Sequence, residues 1–137
     1  MHVREMLSTH PHPAAPASGA LIACIEACYD CAQTCMSCAD ACLAEQGATE
    51  LARCIRLDLD CADACATTGA ILSRRTAVNP ALVVRMLETC ADFCRMCADE
   101  CERHAGHHDH CRICAQVCRT CERACQQAAQ DSGATGP

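Results

Sequence analysis

Six cysteines, Cys24, Cys28, Cys31, Cys35, Cys38 and Cys42, follow one another at steps of 4, 3, 4, 3 and 4. With 3.6 residues per helical turn, such steps set all six on one stripe of one helix. The register returns in Cys54, Asp58, Cys61 and Cys65, then in Cys90, Cys94, Cys97 and Cys101, a row that His104 and His108 extend. It returns once more in Cys111, Cys114, Cys118, Cys121 and Cys125. Helical residues four apart have Cβ atoms about 5–6 Å from each other. Two thiolates so placed can hold one soft ion between them in near-linear geometry. Cu(I) prefers thiolate and is content with two or three ligands. Zinc and iron–sulfur clusters need four ligands converging on one point, which a row along a single rod supplies poorly. One Cu(I) per thiolate also leaves a nearly neutral interior, whereas zinc on four thiolates leaves two negative charges to bury at each site. Without metal, protonated thiols pack as small apolar groups, so the empty protein is expected to stay folded.

These rows require helices and a core to hold them. Leu, Ile, Val and Phe together number 20 of 137 residues, a fraction that ordinarily signals disorder. The 18 cysteines are the one residue type numerous enough to replace the missing apolar bulk. In a secreted chain this many cysteines would imply disulfides. The stretch 1–18, however, has three His, three Pro and no continuous apolar run of the kind a signal peptide carries. A reducing, cytoplasmic setting is therefore expected, in which cysteines point to metal. A formal charge of −6, scattered arginines and the single Tyr29 and Phe93 argue against a nucleic-acid partner. No apolar stretch reaches membrane-spanning length.

The expected organisation is a flexible leader over 1–17, broken by Pro11, Pro13 and Pro16, then a helical domain over 18–130 and a disordered tail over 131–137. Gly47 and Thr49 mark the first break between helices, with Thr49 as a cap. Asn79 followed by Pro80 marks the second. Gly106 and Asp109 mark the third, with Asp109 as a cap. Helices of roughly 20–28 residues joined by short connections predict an all-α, antiparallel up-down four-helix bundle with a cysteine-lined core.

The run from Cys24 to Cys42, with its echoes at Cys61 and Cys65, Cys90 and Cys94, Cys97 and Cys101, Cys114 and Cys118, and Cys121 and Cys125, resembles the bacterial copper storage proteins over roughly residues 20–128. The resemblance is nearest to their cytosolic branch. It implies a non-enzymatic protein that holds several Cu(I) ions per chain inside a helical tube and assembles as a homotetramer; a copper chaperone is a candidate partner.

In an antiparallel bundle Cys42, Cys54, Asp58, His104, His108 and Cys111 share one end. Leu72, Leu82 and Met86 would plug the other, beside Cys24 and Cys125. Asp58, His104 and His108 are therefore expected to form a copper entrance. His107 and His110 read as solvated loop residues, and His2, His10 and His12 as part of the leader. Met36, Met86 and Met96 read as packing filler. The competing reading is a ferredoxin-like iron–sulfur electron carrier, but the sequence lacks both C-x2-C-x2-C and Cys-Pro. A thiol-based redox catalyst would need one cysteine set apart from the rest, and none is.

Overall fold

A computed structural model describes residues 1–134 and contains only helices among them. Helix α1 spans Val3–Ser8, α2 Gly19–Leu43, α3 Ala52–Ser73, α4 Pro80–His104 and α5 Asp109–Ala134. A single 3-10 turn, Ala48–Leu51, leads into α3. The four long helices have 25, 22, 25 and 26 residues. Helix α2 packs on α3 and α5, and α4 packs on the same two neighbours. Between α2 and α5, Cys24 meets Cys125, Cys31 meets Cys118 and Cys42 meets Cys111. No described helix is long and apolar enough to cross a membrane.

The helix starts follow local chemistry. Ser18 Oγ accepts from Leu21 N–H at 3.0 Å, and Asn79 Oδ1 accepts from Leu82 N–H at 3.2 Å with Pro80 in the first turn. Both are N-cap bonds that satisfy an otherwise orphaned amide. Thr49 does not act as a cap. It lies inside the 3-10 turn, and α3 begins at Ala52 without a side-chain cap. Asp109 belongs to the first turn of α5, where its charge complements the helix dipole.

Each helix turns one face inward. On α3 the buried row is Cys54, Asp58, Cys61, Cys65, Thr68 and Leu72, and on α4 it is Val83, Leu87, Cys90, Cys94, Cys97 and Cys101. Small residues beside the row, such as Ala39, Ala62 and Ala98, are buried too and allow close helix approach. Gly69 serves the same end, because a Cβ there would lie 3.2 Å from the Tyr29 ring.

The chain ends differ from the expected domain limits. The leader is docked rather than loose: Val3 and Leu7 are buried with the main core, Ala14 N–H donates to Arg75 O at 2.9 Å, and His10 Nε2 lies 3.0 Å from Thr76 Oγ1. Val3 and Leu7 lie four apart on α1, so one turn presents both to the core. At the other end α5 continues through 131–134, past the boundary at 130, supported by a Gln127 to Asp131 hydrogen bond across one turn. The remainder of the expected tail, 135–137, lies outside the described residues.

Candidate metal centre

The stripes converge. All eighteen cysteines are free thiols and all are buried. Within one helix, Cys31 and Cys35 bring their sulfurs to 3.8 Å, Cys61 and Cys65 to 3.9 Å, and Cys97 and Cys101 to 4.0 Å. These are the pairs that i,i+4 spacing predicts. Contacts between helices are as close or closer. Cys35 and Cys118 are 3.6 Å apart, as are Cys65 and Cys94, while Cys54 lies 3.7 Å from Cys101 and Cys28 lies 3.8 Å from Cys121.

Packing therefore produces what one row cannot. Cys28, Cys90, Cys121 and Cys125 converge, as do Cys31, Cys65, Cys94 and Cys121. So do Cys31, Cys35, Cys61 and Cys118, and likewise Cys35, Cys97, Cys114 and Cys118. The expectation that the rods supply few four-ligand knots is corrected: neighbouring helices complete them. The groups nonetheless share members, since Cys31, Cys35, Cys118 and Cys121 each belong to two. Ions that demand four private ligands cannot fill such a set, whereas ions that accept two or three bridging thiolates can.

Neighbouring sulfurs and burial pull the thiols in opposite directions, raising some and lowering others such as Cys24 and Cys54. At the end of the column, burial pushes Cys42 up to about 11, helped by the charge of Cys54, and burial also raises Cys111. Hydrogen bonding with Cys121 raises Cys28 and Cys94. Cys54 runs the other way, to about 3, because Cys101 and then Cys38 hydrogen-bond to its sulfur, with His104 nearby adding its charge.

Asp58 replaces a cysteine within the α3 row. It is completely buried, and its Oδ1 accepts from the thiols of Cys97 at 3.1 Å and of Cys101 and Cys114 at 3.4 Å. Its Oδ2 is buried without a hydrogen-bond partner. Desolvation, then the neighbouring Cys114, raises its carboxyl to about 8. A buried carboxylate oxygen with nothing to accept from is costly, so the neutral acid is favoured in the empty protein.

The two histidines of the extended α4 row lie farther out. His104 Nε2 lies 3.0 Å from Glu100 Oε2, and His108 Nδ1 lies 3.5 Å from Glu45 Oε2. Glu100 is buried and also receives Arg103 at 2.8 Å and Arg53 at 3.4 Å. His110 is the residue that sequence reasoning misjudged. Instead of facing solvent, its Nδ1 lies 3.5 Å from Cys38 Sγ, 3.6 Å from Cys111 Sγ and 4.0 Å from Cys42 Sγ. Cys38, Cys42, His110 and Cys111 form a mixed thiol–imidazole group able to hold a metal ion. The signal available was its place four residues before Cys114, one helical turn from a thiol of the row. His107 is exposed, as expected.

At the opposite end Leu72 is buried as expected, but Leu82 is 57% exposed and Met86 is half-buried. They line a surface cavity with Ile71, Val78 and Arg74 instead of closing the column. Ile25, Leu72 and Leu87 are the largest fully buried apolar side chains. Leu87 stands three residues before Cys90 and Val83 four before that, so the heptad itself continues through them and bypasses Leu82 and Met86.

Comparison with known proteins agrees with this geometry. A family model described as "Copper storage protein" matches residues 17–130. The chain is 42% identical over 107 residues to the uncharacterized cysteine-rich protein YhjQ of Bacillus subtilis, covering 78% of this chain and 94% of that protein. Among solved structures, Streptomyces lividans Ccsp, a copper storage protein loaded with 10 copper equivalents, superposes with a TM-score of 0.91 at 47% identity, covering 93% of this chain and 98% of that one. The Cu(I)-bound copper storage protein BsCsp3 superposes with a TM-score of 0.70 at 41% identity, covering 78% and 95%.

Proposed function

The chain belongs to the copper storage protein family, and from that premise we propose that it stores and sequesters several Cu(I) ions per molecule on its buried thiolates. The observation that carries this reading is the continuous column of eighteen buried free thiols grouped in overlapping sets. A single-site enzyme or electron carrier needs one such set, and a store gains from each additional one. The iron–sulfur alternative is not supported. A cytosolic setting accords with the Streptomyces lividans relative, which is described as a cytosolic copper storage protein.

The ring of helix contacts and the reversed thiol pairings support an antiparallel four-helix bundle as the container. All eighteen cysteines serve as ligands in this reading, from Cys24 and Cys125 at one end to Cys42 and Cys111 at the other, and His110 joins the latter. Asp58, His104 and His108 form the entry route: the imidazoles take the ion at the half-exposed end and the carboxylate hands it to Cys97, Cys101 and Cys114. The proximity of His104 to Cys54 supports this order. A homotetramer and delivery by a copper chaperone complete the proposal, and no catalytic role is assigned.

Anaerobic titration of the reduced, metal-free protein with Cu(I), against a chromophoric chelator, tests the store. Tight binding that saturates near one ion per cysteine is expected, and saturation at a few ions would overturn it. Stopped-flow loading of the Asp58→Ala/His104→Ala double variant tests the entrance. Uptake should slow several-fold with capacity nearly intact, and an unchanged rate would dismiss the route.

A further inference from the structure

His110 faces the thiols, and its two nitrogens point in opposite directions. Nδ1 is directed at the sulfurs of Cys38, Cys42 and Cys111. Nε2 lies 3.3 Å from Oε1 of Glu45, just beyond the C-terminus of α2. The second oxygen of the same carboxylate lies 3.5 Å from His108 Nδ1, and the His108 and His110 rings stack with centroids 5.4 Å apart. Glu45 is thus gripped between two imidazoles, on the side of His110 remote from the thiols.

A singly protonated imidazole can bind a metal only through its bare nitrogen, and the hydrogen bond made by the other nitrogen decides which one is bare. A carboxylate only accepts, so Nε2 must carry the proton to bond to it. We infer that Glu45 is a positioning residue that fixes His110 as the Nε2–H tautomer and so presents the Nδ1 lone pair to the Cys38, Cys42 and Cys111 site. Resting on the storage reading above, the inference names what sets this site apart. Its other members, Cys38, Cys42 and Cys111, offer sulfur, whereas His110 offers a nitrogen whose orientation is set from outside the column. The stacked His108 ring and its own contact with Glu45 Oε2 restrain the carboxylate from swinging away.

The test joins a readout on the empty protein to one on binding. In nitrogen-15 NMR of reduced, metal-free protein, His110 should show a bare Nδ1 and a protonated Nε2. Glu45→Ala should mix the two tautomers, and Glu45→Gln, whose amide oxygen still accepts, should restore the single one. With Cu(I) as probe against a chromophoric chelator, Glu45→Ala should weaken one ion by about tenfold or more while the remaining ions hold. In a His110→Ala background the same substitution should add nothing. An Nδ1–H or doubly protonated ring in the wild type, or an equal loss from Glu45→Ala in both backgrounds, overturns the assignment. Failure of storage would appear separately, as loss of most of the bound copper.

Discussion

The two ends of the thiol column are built from opposite materials. Beyond Cys24 and Cys125 the inward faces continue into Ile25, Leu72, Val83 and Leu87, and the leader adds Val3 and Leu7 to the same buried cluster. Beyond Cys42 and Cys111 they continue into His104, His108 and His110, each beside a glutamate and each partly exposed. One end is held shut by burial, which is strong and indifferent to ions. The other is held by short-range polar contacts, which rearrange at little cost. The polar end sets partly exposed imidazoles beside the thiols, an asymmetry that suits the entry route proposed above.

The largest expected loss of stability lies at the apolar end. Leu87→Ala should destabilise the empty protein by about 2–5 kcal/mol in denaturant melts under reducing conditions, because Leu87 is wholly enclosed. A change well under that range would mean that the apolar end is loosely packed and that the contrast fails.

Asp58 sharpens the contrast from inside. Its carboxyl is raised from 3.8 to about 8, so the folded protein retains a proton that the unfolded chain releases. Stability of the empty protein is then greatest below pH 4 as far as this group is concerned, and falls as pH rises toward 8. Asp58→Asn should remove that slope and stabilise the protein near pH 8 by on the order of 5 kcal/mol. Urea melts at pH 5 and 8 would check it, and an equal pH dependence in both proteins would refute it.

The leader should matter less. Leu7→Ala is expected to cost about 1–2 kcal/mol, since Leu7 is buried by a single short helix. Differential scanning calorimetry should show a lower Tm with one cooperative transition.

The smallest effect belongs to the polar end. His104→Ala removes one contact to Glu100 but leaves Arg53 and Arg103, and should cost less than about 1 kcal/mol. A cost as large as that of Leu87→Ala would show that the histidine end is structural, not a passage.

The helices and their inward faces were legible in the sequence, because an alternation of threes and fours can place residues on one stripe only in a helix. It identified the eighteen cysteines and Asp58 as inward-facing, and it marked the cap at Asn79, which bonds three residues along the chain. What spacing along one helix cannot encode is which residues of other helices meet it. The four-thiol groups, the three thiols around Asp58, the turning of His110 onto Cys38 and Cys42, and the docking of the leader on Arg75 and Thr76 all join residues far apart in the chain. Periodicity fixes an angle about one axis, and only packing fixes the distance between axes. That distance turned rows of thiol pairs into shared sites, and it turned a histidine outside the repeat toward the sulfurs.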